Sequence, residues 1–167
     1  HYAMRHEDNV KGIAFMDAMV GPLSWDTFNF MEKYMFEKFR DPVSGPEWIV
    51  EDNFFLETAF PNFIGRTLSD EELVYYKAPF LTKESRKPVL LWANEVPLDG
   101  KPTDVYKIVV DYRAKLEKST IPKLLIWGSD GVAIKPEMVE PLKKAFPNTE
   151  SVYVGPAKHF LQEDQPR

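Results

Sequence analysis

The chain has 167 residues, 44% of them hydrophobic, with 21 Lys+Arg against 26 Asp+Glu and a formal net charge of −5. This length and apolar content can bury a core, which excludes intrinsic disorder, and the acidic balance leaves no basic stripe to neutralise nucleic-acid phosphates. No apolar run nears the roughly 20 residues needed to cross a bilayer, and the lack of cysteine excludes a disulfide scaffold, a thiolate nucleophile and a Cys-ligated metal.

The chain opens at His1-Tyr2-Ala3-Met4-Arg5, without an initiator methionine, and stops at Gln165-Pro166-Arg167 just after an acidic pair, so both ends read as cut from a longer polypeptide. Residues 1–10 fit the last turns of a helix. Lys11-Gly12-Ile13-Ala14-Phe15-Met16 is a short apolar run bounded by polar residues, which predicts a fully buried strand of a parallel sheet. From Gly21 to Lys118 the apolar residues recur at helical spacing, as in Trp25, Phe28, Phe36 and Phe39 and again in Trp48, Phe54 and Phe55. Prolines 42, 46, 61, 79, 88, 97 and 102 are expected to cut this stretch into short helices and loops. A second strand is predicted at Lys123–Trp127 and a third at Ser151–Val154. Between them, Pro136 opens a helix and Lys143-Lys144 lie near its end, as the helix dipole favours. Strand, helix and strand within about 30 residues make a βαβ unit. The fold class is therefore α/β, with parallel core strands interrupted by a helical insertion. Its expected divisions are 1–20, 21–118 and 119–167.

Ligands of an open parallel sheet sit beyond the carboxyl ends of the strands. Asp17 follows the first predicted strand, Asp130 lies in the turn after the second, and His159 lies in the loop after the third. A carboxylate that accepts from imidazole Nδ1–H fixes the tautomer and leaves Nε2 free to take a proton. By themselves these residues also fit plainer roles: aspartates after strands form turns and caps, and the Trp25–Phe39 stripe fits a core. Glu71-Glu72 and Glu163-Asp164 read as solvated or capping residues. His1 and His6 have no ligand spacing, so no metal site is expected.

Four stretches shift this balance. Lys11-Gly12-Ile13-Ala14-Phe15-Met16-Asp17, followed by Pro22 and Trp25-Asp26, resembles the strand by which haloalkane dehalogenases leave their core for a helical cap. Glu51-Asp52-Asn53-Phe54-Phe55-Leu56-Glu57-Thr58 is similar to a cap helix of that family, and Pro88 to Pro97 resembles the return to the core. Gly155-Pro156-Ala157-Lys158-His159-Phe160-Leu161-Gln162-Glu163-Asp164 resembles the loop bearing the family's catalytic histidine. The resemblance runs in order over essentially the whole chain and extends to the related coelenterazine luciferases.

It implies a partial α/β-hydrolase fold that includes the cap, and hydrolysis of haloalkanes to alcohol and halide through an alkyl-enzyme ester. His159 would activate water. Asp17 sits where one large subfamily has glutamate as the orienting acid, one methylene longer. Other subfamilies place an Asp near Asp130, which is one residue out of register counted from Gly128, so Asp17 is preferred and Asp130 held in reserve. Phe28, Met31, Phe36, Phe39, Phe55, Ala59, Val132, Ala133 and Phe160 match or adjoin positions lining the substrate pocket. The nucleophilic aspartate and both halide donors would precede this segment. Trp92 and Trp127 lie outside the matching halide motif.

The resemblance implies no metal or organic cofactor. The expected partners are a small halogenated alkane, water, halide and the upstream remainder of the polypeptide, with neither nucleic acid nor membrane. The isolated segment is expected to be inactive, and a reducing cytoplasm is the default compartment. The competing readings are a coelenterazine luciferase on the same scaffold and a non-catalytic fragment or ligand-binding relative. A weaker one is an epoxide hydrolase, for which Tyr75 and Tyr76 lack the motif context.

Overall fold

Three short apolar runs form the sheet of the computed structural model, which describes residues 1–166. Strand β1 (Ile13–Met16) pairs in parallel with β2 (Lys123–Trp127), and β2 pairs in parallel with β3 (Thr149–Tyr153). The strand order is β1-β2-β3. Ile13 lies opposite Lys123 and Lys123 opposite Thr149, so the segments that follow the three strands leave from one edge.

By contact the chain divides into two units. One comprises residues 1–22, 63–66 and 107–167 and carries the sheet; the other comprises 23–62 and 67–106 and is helical.

In the helical unit, α1 (Phe30–Arg40) starts at Asn29, whose side chain accepts from Met31 N and Glu32 N while Glu32 reaches back to Asn29 N. Two wide, π-type turns follow at Pro46–Glu51 and Phe55–Ala59, the second closing in a single α turn, α2 (Phe60–Asn62). Helix α3 (Asp70–Lys77) is capped by Ser69 and Glu72, and α4 (Lys83–Glu95) by Thr82 and Ser85. Phe39, Ile49 and Ala93 form the core, with Val89 and Leu90 packed against it. Pro88 does not break the chain as the sequence predicts but lies inside α4. A proline in a helix interior costs about 3 kcal/mol. Burial of the Val89, Leu90 and Ala93 face against Phe39 and Ile49 offsets it.

Helix α5 (Thr103–Leu116) runs from the helical unit into the sheet unit. There α6 (Pro136–Ala145) lies between β2 and β3, with Pro136 in its first turn and Lys143 and Lys144 in its last. Its Val139 and Leu142 are buried with Leu125, Ile134 and Phe146. Each fully buried side chain of this kind contributes about 1.5–3 kcal/mol. A last short helix, α7 (Leu161–Asp164), follows the β3 loop.

In β1, Ile13 and Phe15 are half-buried while Ala14 and Met16 are exposed within this chain, and Phe15 packs on the core that α6 closes. Residues 1–10 form hydrogen-bonded turns and a short 3-10 turn at Glu7–Asn9. Among the described residues no helix is long and apolar enough to cross a membrane.

Candidate active site

The residue that leaves β1, Asp17, turns with φ of 35°, a left-handed conformation that Asp tolerates better than most residues. Its side chain is only 1% exposed. The carboxylate meets three consecutive main-chain donors from the loop after β2: Val132 N to Oδ2 at 2.9 Å, Ala133 N to Oδ1 at 2.8 Å and Ile134 N to Oδ1 at 2.6 Å. Successive N–H groups converging in this way form an anion-binding nest. Ile134 anchors the nest in the core. Gly131 is required at its mouth, because a Cβ there would lie 2.2 Å from Ile134 O and 3.0 Å from Asp17 Oδ1.

His159 Nδ1 lies 2.6 Å from Asp17 Oδ2. A carboxylate already taking three N–H bonds is an acceptor, so the hydrogen of this contact belongs to Nδ1 and Nε2 is left with its lone pair. The missing methylene of Asp relative to Glu therefore does not cost the contact. The imidazole is 35% exposed and is met edge-on by Phe63, 6.0 Å away, and Phe160, 5.0 Å away. Its loop is zipped to the turn after β2 by Ser129 N to Gly155 O and Asp130 N to Ala157 O. It is also joined to the 63–66 segment by Phe160 N to Phe63 O.

The structure thus brings Asp17, Val132, Ala133, His159 and Phe160 together at the carboxyl ends of the strands. Asp130 is exposed, and its carboxylate takes the Ser129 hydroxyl at 2.5 Å, while His159 turns to Asp17. In the helical unit, Phe28 stacks on Phe36 at 5.1 Å. Phe55 meets Trp92 edge-on, and Met31 is exposed. Phe39 and Ala59 are buried, 2% and 4% exposed. A broad open depression of about 700 Å³, lined by Gly12, Pro122, Lys123 and Asn148 among others, lies at the opposite, amino ends of the strands. It holds no catalytic grouping. Among the described residues no cluster of three or more His, Asp or Glu side chains is placed to hold a metal ion.

Sequence reasoning missed Asp164, read as solvated or capping. Its carboxylate accepts from Gly65 N at 2.8 and 3.0 Å, Arg66 N at 3.0 Å and Lys158 N at 2.8 Å. Burial works against its ionisation, but these donors and the charge of Lys158 outweigh it and hold its pKa below the usual carboxylate value. Its donors are main-chain groups, so no residue pattern announced them.

No model of a known protein family matches the chain. A haloalkane dehalogenase of Mycolicibacterium smegmatis is 39% identical over 164 residues, which cover 98% of this chain and 52% of that protein. One of Bradyrhizobium diazoefficiens is 37% identical over 98% of this chain and 56% of its own length. The crystal structure of a haloalkane dehalogenase from Bradyrhizobium elkani superposes with a TM-score of 0.96 at 38% identity, covering 100% of this chain and 58% of that one. The parallel strands and flanking helices are those of a partial α/β-hydrolase fold. The chain is homologous over its whole length to haloalkane dehalogenases and spans about half the length of the relatives it matches.

Proposed function

We propose that this chain supplies the water-activating half of a haloalkane dehalogenase whose nucleophile lies upstream in the same polypeptide. The observation that carries the reading is the 2.6 Å contact between His159 Nδ1 and a buried, three-fold clasped Asp17, in a chain homologous to these enzymes. In the first step an upstream carboxylate displaces halide from the alkyl carbon and forms an ester. In the second, Nε2 of His159 takes a proton from water, and the hydroxide adds to the ester carbonyl. Collapse expels the alcohol, which takes its proton from the imidazolium, and the regenerated carboxylic acid gives its own proton to solvent, so the carboxylate is restored and one proton is released with each halide. Asp17 holds the imidazole in the tautomer that leaves Nε2 basic and stabilises the charge it acquires.

The substrate is a small halogenated alkane and the products are alcohol and halide; neither step calls for a metal or an organic cofactor. Phe160 meets the reacting imidazole edge-on, Val132 and Ala133 bind the carboxylate that orients it, and the proposal gives all three a place in the substrate pocket. The lining roles of Phe28, Met31, Phe36, Phe39, Phe55 and Ala59 belong to the same proposal and rest on the resemblance of their region to the dehalogenase cap.

The test is His159→Ala in the full-length polypeptide. Bromoalkane should release about one equivalent of bromide per chain and then stall, with the ester trapped on the protein. Sustained turnover by this variant would overturn the reading, as would light emission with coelenterazine and no halide release by the parent.

A further inference from the structure

We infer that Asp164 is a positioning residue for His159, holding the histidine's own loop to the 63–66 segment whose Phe63 packs against the imidazole. This rests on the role proposed above for His159, but its geometry stands apart from the chemistry. Lys158, whose N–H binds Asp164 Oδ2, is the residue immediately before His159. Gly65 and Arg66, whose N–H groups bind the same carboxylate, follow Phe63, which meets the imidazole edge-on and takes the Phe160 N–H. One carboxylate therefore ties the histidine's own loop to the segment whose Phe63 meets the ring.

Neighbouring groups reinforce the junction. Arg66 Nε donates to Glu163 O at 2.5 Å and its Nη2 meets Glu163 Oε2 at 2.7 Å. Gln165 Nε2 donates to Pro156 O at 2.8 Å, fixing the start of the same loop. All of Asp164's main-chain partners are donors, so an asparagine would turn an NH2 group toward N–H groups and lose the clasp on one side. Gly65 is close-fitted as well, since a Cβ there would lie 3.1–3.3 Å from the Asp164 carboxylate. A base must be held near its productive geometry, and displacement of about 1 Å can cost on the order of 10²-fold in rate.

Two variants of the full-length polypeptide test this, Asp164→Asn and the milder Gly65→Ala, which crowds the carboxylate without removing it. Two readouts are followed: ester hydrolysis after a single halide burst, and the His159 Nδ1–H proton resonance, identified by its loss in His159→Ala. Asp164→Asn should slow hydrolysis about tenfold or more with burst amplitude and KM retained, and should broaden or abolish the resonance well below the melting temperature. Gly65→Ala should move both readouts the same way by less. Parental hydrolysis and a parental resonance in either folded variant would overturn the inference; should Asp164→Asn fail to fold, Gly65→Ala decides. Lost thermal stability with an unchanged resonance would overturn it too, leaving Asp164 merely structural. No halide burst from the parent would instead sink the dehalogenase reading, and the resonance alone would then decide on Asp164.

Discussion

Replacing Asp17 by asparagine separates charge from shape at the point on which the proposed chemistry turns. The carboxylate divides its four donors evenly: Ala133 N and Ile134 N on Oδ1, Val132 N and His159 Nδ1 on Oδ2. An amide must place its NH2 on one side. Toward Ala133 and Ile134 it would strand two N–H groups, at about 1–3 kcal/mol each. Toward Val132 and His159 it strands one, because the imidazole can adapt by accepting at Nδ1. The second orientation is therefore favoured by about 1–3 kcal/mol, tenfold or more. In that orientation the ring proton moves to Nε2, and His159 can no longer take a proton from water.

A wrong tautomer in an otherwise intact site costs about 10⁴-fold, and we expect that loss in ester hydrolysis for Asp17→Asn, with the halide burst preserved. Stability should fall by about 1–3 kcal/mol, the cost of one stranded N–H. Rapid-quench halide measurement, mass detection of the trapped ester and urea unfolding read the three effects. Asp130→Asn is the matched control, and among the described residues its exposed carboxylate takes its hydrogen bond from the Ser129 hydroxyl, so hydrolysis should stay within about twofold of the parent. Hydrolysis by Asp17→Asn within tenfold of the parent, or an equal loss in Asp130→Asn, would refute the reasoning.

Gly131→Ala should destabilise the fold by about 1–3 kcal/mol or more, because the new Cβ would sit 2.2 Å from a main-chain oxygen inside the nest; a melting temperature equal to the parent's would count against the clasp. Asp164 is held below its ordinary pKa of 3.8, so its contribution to stability is complete above that value and fades as pH falls through the depressed folded-state pKa. Urea unfolding should show the parent's advantage over Asp164→Asn shrinking on acidification through that window, and an advantage that grows on acidification would reverse the sign of this linkage.

The sheet was legible because its signals are local. Lys123–Trp127 lies between Pro122 and Gly128 and forms a strand over the predicted residues. The helix from Pro136 carries its own start and stop chemistry, and a short βαβ connection makes β2 and β3 parallel neighbours. Pro88 misled because the cost of a helix-interior proline is also local, whereas its compensation is not. Val89, Leu90 and Ala93 pack on Phe39 and Ile49, some 40 to 50 positions earlier.

At the site the division is sharper. Strand position alone does not rank Asp17 and Asp130, since a carboxylate after a strand looks alike as turn former or acid; the family resemblance is what preferred Asp17. What separates them is the direction of three main-chain N–H groups more than 110 residues from Asp17 in sequence. Amide hydrogens carry no residue identity, so neither spacing nor composition encodes where they point. Their one trace in the sequence is Gly131, a residue needed for the space it leaves empty. Asp164 obeys the same logic, with main-chain donors at positions 65, 66 and 158 and close-fitted Gly65 beside it. A buried carboxylate satisfied by backbone donors is fixed in place without a cationic partner that would compete with the imidazole for its charge. Oδ2, which also takes the Val132 N–H, thereby orients His159, which is why the clasp and the base form one arrangement.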